Sequence, residues 1–472
     1  MKPDDAWSLS WVGFRRALMA AVGAGLLVLG PGGVVRPANR VIILTPHVDA
    51  IRNEFGAAFA RWHAQEFGAP AEVDWRYLGG TSDALRFVQS EFAKKPGGIG
   101  LDCFFGGGLE PFLLLADKGL SSRYQPSPEV LAGIPQTLRG MDLYDTNFLW
   151  FGAVLSSFGI LQNTRVQRLM ALPSVHTWGE LTNAALRGWV GAGDPRNSGT
   201  MNVMFESFLQ FYGWERGWQV LTQIGGNVRK FDRVSSVTAK DVTLGETAYA
   251  FCIDFYGFAQ VSVAGQTNMR FVLPDDFAAV NPDGLAVLKG APDLETARRF
   301  VDFVLSEPGQ CIWFLPRGLP EGPRQFSIER PSIRPALYGR YQQSRHSQFN
   351  PFVAAQGFLY DARLGRKRRE VVAALVGTLL VDSHAELQSA WRSVIGRGLR
   401  PADLAELGRP PVSEADAMQL ATGLWTNPAV RIQSNLLWQS WAQRKYRRLS
   451  IGMGQPGPNT SNVESRANPA RS

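Results

Sequence analysis

The sequence predicts an α/β protein of two lobes followed by a helical C-terminal extension. Three observations carry that prediction. Strand-like and helix-like segments alternate near the start of the chain and again through its middle, as βαβ units do. At 472 residues, 45 % of them apolar, the chain can bury more than one core. Beyond about Tyr341 the strand signal fades and helical spacing takes over.

Taken in order, the elements begin with a targeting segment in residues 1–36. Arg15 and Arg16 form a positive n-region, and Ala17 to Leu29 is an uncharged, mostly apolar run closed by Gly30 and Pro31. That run is shorter than the roughly 20 residues of a membrane span and fits a secretory h-region. Phe14-Arg15-Arg16-Ala17-Leu18 faintly suggests a twin-arginine signal, but paired arginines are common in ordinary n-regions, which is the reading preferred. Absence of a clean cleavage pattern before Arg40 leaves an N-terminal anchor open. The expectation is an exported protein, periplasmic or on the outer side of the cytoplasmic membrane.

The first lobe is expected in residues 37–145 with 275–345. Arg40 to Leu44 is a β-branched run, and Ile51 to Phe67 places Ile51, Phe55, Phe59 and Trp62 on one helical face. Val73 to Tyr77 reads as a strand, Asp83 to Phe92 as a helix, and Leu101 to Phe105 as a third strand. The second lobe is expected in residues 146–274, with strands at Phe148 to Leu155, Trp189 to Gly191 and Tyr249 to Ile253 and helices at Thr200 to Phe211 and Val237 to Leu244. Gly284 to Leu288 and Asp293 to Leu305 then return a strand and a helix to the first lobe.

Residues 346–452 are expected to form the helical extension, with helices at Arg369 to Ile395, Glu414 to Trp425 and Ile432 to Leu449. Two basic clusters lie in it, Arg363, Arg366, Lys367, Arg368 and Arg369, then Arg444, Lys445, Arg447 and Arg448. They read as solvated faces, with docking to anionic lipid or a partner as the alternative. Residues 453–472 are rich in Gly, Pro, Asn and Ser and are expected to be a disordered tail. Cys103, Cys252 and Cys311 show no metal-ligand spacing and are expected as buried free thiols.

The chemistry lies in short polar clusters that follow a strand and open a helix. Thr45-Pro46-His47, Gly79-Gly80-Thr81-Ser82 and Gly106-Gly107-Gly108 do so in the first lobe; Arg196-Asn197-Ser198-Gly199-Thr200 and Ser235-Ser236 do so in the second. In open parallel sheets ligands bind outside the carboxyl ends of the strands, so these loops should meet at one cleft. Free N–H groups at helix starts and the positive end of the helix dipole suit carboxylate or phosphate. Each Ser, Thr or Asn alone reads as an ordinary N-cap; their recurrence in both lobes points to a ligand. Asp254 and Tyr256 end another second-lobe strand, where they read either as ligands to an amine, hydroxyl or metal or as a cap and a packed ring. Arg196 is a candidate bidentate clamp for phosphate, with an ion pair to Asp194 as the alternative.

These motifs, from Leu44–His47 through Asp102-Cys103-Phe104-Phe105-Gly106-Gly107 and Asp194–Thr200 to the Gly284–Ser306 stretch, resemble the ferric-ion-binding type of extracellular solute-binding protein of ABC importers. The resemblance covers roughly Arg40 to Pro320. It implies a type II periplasmic-binding-protein-like fold, two α/β lobes with a hinge and a cleft, closing on a small ligand and delivering it to a membrane permease. Crossover strands are expected near Phe148 to Ser156 and Phe271 to Leu288. Iron binders of this type use a histidine, a carboxylate and two adjacent tyrosines. His47 and Tyr256 match the histidine and first tyrosine, and Gly257 stands in place of the second.

The expected cargo is therefore a small anionic or phosphate-bearing organic ligand or a chelated metal, with ferric iron held by His47 and Tyr256 as the alternative. A ligand-sensing receptor or an enzyme on the same fold is the further alternative. Against an enzyme, the sequence has no nucleophile elbow, P-loop, zinc motif or dinucleotide fingerprint, so no catalytic residue and no cofactor is expected. The net charge of +8 and pI near 9.5 also suit nucleic acid. Export and the lack of a recognition motif argue against that partner.

Overall fold

The computed structural model describes residues 39–451 apart from 139–140, 346–348 and 354–357. The expected targeting segment and the Gly- and Pro-rich tail lie outside the described residues. Among the described residues nine strands form the main sheet: β1 (Arg40–Leu44), β2 (Glu72–Arg76), β3 (Cys103–Phe105), β4 (Phe151–Asn163), β5 (Val190–Gly193), β6 (Val228–Asp232), β7 (Tyr249–Ile253), β8 (Met269–Val272) and β9 (Val280–Val287). A separate short hairpin pairs Thr137–Leu138 with Met141–Asp142. The strand order is β2-β1-β3-β9-β4-β7-β5-β6, with β8 also paired to β4.

In the first lobe β2, β1 and β3 run parallel, and β9 joins β3 antiparallel. In the second lobe β5, β6 and β7 run parallel, and β4 pairs antiparallel with both β7 and β8. This is the mixed α/β, two-lobed architecture expected from the sequence. The crossover is longer than the sequence pattern indicates. β4 pairs with β9 through Phe151–Ser157 and with β7 through Phe158–Gln162, so one strand of roughly 40 Å belongs to both lobes. All of it is buried, which explains its nearly unbroken apolar run.

Helices begin at the carboxyl ends of the strands. α1 (Asp49–Phe67) follows β1, α2 (Thr81–Lys94) follows β2, and α3 (Glu110–Asp117) follows β3. In the second lobe α4 (Gly199–Tyr212) and α5 (Trp214–Asn227) follow β5, α6 (Ser235–Leu244) follows β6, and α7 (Asp254–Ala264) follows β7. α8 (Leu294–Leu305) covers the first-lobe sheet after β9.

The extension departs from the sequence reading. The single helix expected over Arg369 to Ile395 is two, α9 (Ala362–Val376) and α10 (His384–Gly396), separated by a π-turn over Gly377–Val381 and by Asp382-Ser383. The break serves a contact: Asp382 receives Nη1 and Nη2 of Arg196, each at 2.8 Å, and Ser383 Oγ donates to the Thr378 carbonyl at 2.8 Å. α11 (Pro401–Gly408), a short helix over Glu414–Gln419 that runs into a π-turn over Leu420–Leu424 where one helix to Trp425 is expected, and α12 (Pro428–Ile451) complete the extension.

The extension finishes the second lobe's core. Val372, Leu375, Leu380, Leu387 and Trp391 pack in one cluster with Phe205, Phe208, Trp218 and Ile224, a cluster that continues to Leu44, Val88 and Phe104 on one face of the first-lobe sheet, while Phe55, Phe105, Phe300 and Trp313 form a cluster on its other face. Trp391 Nε1 donates to Asn227 Oδ1 at 2.7 Å, and a methyl on Gly226 would stand 2.5 Å from its ring. The basic clusters are not uniformly solvated faces. Arg368 is fully buried and pairs with Glu206 Oε1 at 2.8 Å, and buried Lys445 donates to the Leu407 and Arg409 carbonyls at 2.8 Å. Cys103, Cys252 and Cys311 are free and buried, as expected.

Candidate functional site

The cleft between the lobes encloses a cavity of about 110 Å³. First-lobe loops reach it through Pro46, His47, Gly79, Gly80, Thr81, Gly107 and Gly108; second-lobe loops reach it through Asn197 to Thr200, Val234 to Ser236, Phe255 and Tyr256. The starts of α2, α4 and α6 therefore face one space. By helix geometry their first N–H groups have no partner within the helix.

Each start is built for close approach. At α4, Ser198 Oγ accepts from Met201 N at 3.3 Å and lies 2.6 Å from Ser235 Oγ, tying the α4 and α6 starts together. Across the cleft, a side chain on Gly80 would stand 3.2 Å from the Asn197 carbonyl oxygen, so the lobes meet there backbone to backbone. Gly106 and Gly107 have φ of +93° and +104°, a region open to glycine. A methyl on Gly107 would lie 2.7 Å from Thr81 Cγ2, and one on Gly106 would collide with the His47 ring.

A polar cluster underlies the first-lobe side. His47 Nε2 lies 3.1 Å from Asp283 Oδ2, which also pairs with Arg330 Nη1 at 2.7 Å; Asp283 Oδ1 accepts from Gly108 N at 2.7 Å. A bulge in β9 between Asp283 and Gly284 marks the position where this carboxylate leaves the ladder. Burial pushes the His47 pKa below its usual value despite the nearby carboxylate, so the ring is neutral at neutral pH. Burial opposes ionisation of Asp283, yet Arg330, His47 and Gly108 N outweigh it and hold the carboxyl well below the usual range.

Of the residues singled out in the sequence, the structure brings His47, Gly80, Thr81, Gly107, Asn197, Ser198, Gly199, Thr200, Ser235, Ser236 and Tyr256 to the cavity wall. Four stand elsewhere. Thr45 is buried behind the wall, its Oγ1 accepting from His47 N at 3.1 Å. Ser82 lies in the first turn of α2 but off the wall. Arg196 turns away and is held by Asp194 and Asp382, which fits the ion-pair alternative. Asp254 is buried beneath the wall, accepting from Ser157 N at 2.6 Å and Ser157 Oγ at 2.9 Å. Burial raises its pKa to about 6 against the lowering effect of Arg330.

Sequence reasoning missed Asp283, Asn281, Glu110 and Arg369, all on the wall. Asp283 and Asn281 come from a return strand distant in sequence, and Arg369 from the extension. The Gly-Gly-Gly-Leu-Glu run after β3 was the available signal for Glu110. Gly257 sits under the Phe271 ring, where even a methyl would collide. Among the described residues no group of three or more His, Cys, Asp or Glu is placed to hold a metal.

A family model described as bacterial extracellular solute-binding protein matches residues 112–325. The phosphoglycerate transport regulatory protein of Salmonella typhimurium is 28 % identical over 300 residues, 61 % of this chain and 69 % of that one. The periplasmic binding protein AfuA of Actinobacillus pleuropneumoniae, solved with fructose-6-phosphate, superposes with a TM-score of 0.55 at 18 % identity, covering 75 % of this chain and 98 % of its own. The apo ferric ion-binding protein A of Pasteurella haemolytica gives 0.53 at 15 % identity, with 72 % and 97 % covered. At these identities the two solved neighbours share the fold of this chain, a mixed α/β architecture of the periplasmic-binding-protein kind. No helix of the described residues is long and apolar enough to cross a membrane.

Proposed function

Starting from this solute-binding relationship of the ferric-binding type, we propose that the chain captures a small organic anion, a phosphate ester above all, by closure of its lobes. The family implies a small-molecule ligand and a transporter permease as partner; export to the periplasmic side and delivery of this anion belong to the same proposal. So do the lobe limits of residues 37–145 with 275–345 and 146–274. The observation that carries it is the convergence of the α2, α4 and α6 starts, with Thr81, Ser198, Thr200, Ser235 and Ser236, on one cavity. Two relatives support the phosphate: one is named for phosphoglycerate transport, the other was solved with fructose-6-phosphate.

Ferric iron is the second reading, favoured by the presence of both His47 and Tyr256 on the cavity wall. Three observations weigh against it. His47 Nε2 is engaged by Asp283, Gly257 leaves no room for a second tyrosine, and burial raises the Tyr256 phenol well above its usual pKa. Native mass spectrometry of the purified protein tests the choice. A small phosphorylated or carboxylated molecule released on denaturation is the expected result; bound iron with a visible tyrosinate band, or turnover of the ligand, would overturn it.

A further inference from the structure

The first basic cluster of the extension has two sides. On one, Arg368 is sunk into the second lobe against Glu206, and Asn202 Nδ2 donates to the Arg369 carbonyl at 3.2 Å. On the other, Arg363, Arg366 and Arg369 recur every third residue of α9 and so share a face. Each pairs with a first-lobe carboxylate: Arg363 with Asp142 at 3.7 Å, Arg366 with Asp117, and Arg369 with Glu110. The backbone of α9 is thus fixed to the second lobe while this face reaches across to the first.

Of the three arginines, Arg369 lines the cavity. Its Nη1 pairs with Glu110 Oε2, while Nη2 lies 3.5 Å from where a Cβ on Gly199 would stand, a point 3.4 Å from Thr81 Oγ1. The guanidinium therefore lies where the α2 and α4 starts meet. Glu110, first residue of α3, also accepts from Tyr360 Oη at 3.0 Å through its other oxygen.

We propose that Arg369 binds the acidic group of the ligand, which makes the C-terminal extension part of the binding site and a phosphate monoester its preferred class. This rests on the anion reading above. A guanidinium offers five donors in a planar fork, so one edge can stay on Glu110 while the other meets an oxyanion. Burial lowers the Arg369 pKa only to about 10, leaving it charged at neutral pH. Elsewhere on the wall Asp283 is balanced by Arg330 and His47 is neutral, so the Arg369–Glu110 pair decides which charge the cleft accepts. Glu110 competes with the ligand for the guanidinium. That competition favours the doubly charged phosphate over a single carboxylate.

Titration calorimetry of the full chain with 3-phosphoglycerate, fructose 6-phosphate and inorganic phosphate tests the proposal. Arg369→Ala should weaken binding of the best of these probes by about 30-fold or more, with Arg369→Lys recovering part of it. Glu110→Gln, which relieves the competition, should tighten binding several-fold. Arg366→Ala, on the same face but outside the cavity, should stay within about twofold of the parent. Equal losses in Arg366→Ala and Arg369→Ala would mean that the arginine face acts through closure alone, and would overturn the proposal. Unchanged affinity in Arg369→Ala would overturn it while leaving the anion reading intact. Should Arg369→Ala not fold, Glu110→Gln decides, and unchanged affinity there overturns it. A parent protein that binds none of the three probes would sink both readings.

Discussion

His47 and Asp283 lie 236 positions apart in the chain, yet the ring Nε2 of one stands 3.1 Å from Oδ2 of the other at the floor of the cleft. Arg330 completes the arrangement from a third segment, fully buried, with its guanidinium 4.8 Å from the Phe255 ring centroid and 5.0 Å from that of Trp313. The Asp283 carboxylate is the shared partner of both. Asp283→Asn removes the carboxylate that pairs directly with buried Arg330 and should cost about 3–5 kcal/mol of stability, measured by urea unfolding at neutral pH. A loss under 1 kcal/mol would show that solvent reaches Arg330.

Asp254 should shape the acid side of the stability profile. Its folded pKa is raised from 3.8 to about 6, so between those values the folded state holds a proton that the unfolded chain has released. Wild-type stability then falls through this group as pH rises from about 4 to 6. Asp254→Asn removes that slope. The variant should therefore gain on the parent by up to about 3 kcal/mol across the window and hold a constant difference above it. His47, whose folded pKa is lowered, has the opposite sign and costs both proteins stability as pH falls below 6.5. Urea midpoints at pH 4, 5, 6 and 7.5 check the difference.

The Arg368–Glu206 pair gives a test of how the extension is held. Both side chains are buried, and burial raises the Glu206 pKa even beside the guanidinium. Arg368→Met should cost about 3–5 kcal/mol, because it strands Glu206, and the double variant Arg368→Met with Glu206→Met should recover most of that loss. Thermal unfolding of the three proteins decides, and a double variant no better than the single would place the stabilisation in specific geometry rather than in charge balance.

Ser198 and Thr200 test the anion cradle itself. Replacing both with leucine puts bulk across the α4 start and removes the Ser198–Ser235 hydroxyl contact of 2.6 Å. Binding of phosphate esters should fall by more than about tenfold, with far-UV circular dichroism unchanged. Retained affinity would move the ligand away from these helix starts.

Much of the first lobe is legible in the sequence because its strands are short, apolar and followed by glycine or polar turns: Arg40 to Leu44 reads as the strand that forms, and Tyr249 to Ile253 does so in the second lobe. Other elements give weaker signals. β6 is an edge strand whose Arg229 and Lys230 are exposed, so neither alternation nor a hydrophobic run betrays it. α5 carries Gly217, Gly225 and Gly226, poor helix formers kept small by Leu209, Leu387 and Trp391 packed against them. The loops of the cleft could be placed from their position after strands. The partners Asp283, Glu110 and Arg369 could not, since pairings across such distances in sequence leave no local pattern. Arg196 and Asp254 show the converse: residues with suitable chemistry beside the site whose side chains are engaged in structural contacts.

The shared strand also imposes an order of assembly. β3 gains its antiparallel neighbour when Val280–Val287 has been made, by which time the whole intervening segment of the second lobe exists. The second lobe in turn finishes its helical layer when Trp391 reaches Gly226, more than a hundred residues further on. The earliest-made sheet is thus sealed by a late strand, and the later one by the last helices. Such nested closure delays cooperative folding until nearly the full chain is present, so truncation within the extension should leave a collapsed, aggregation-prone chain rather than a smaller binding protein.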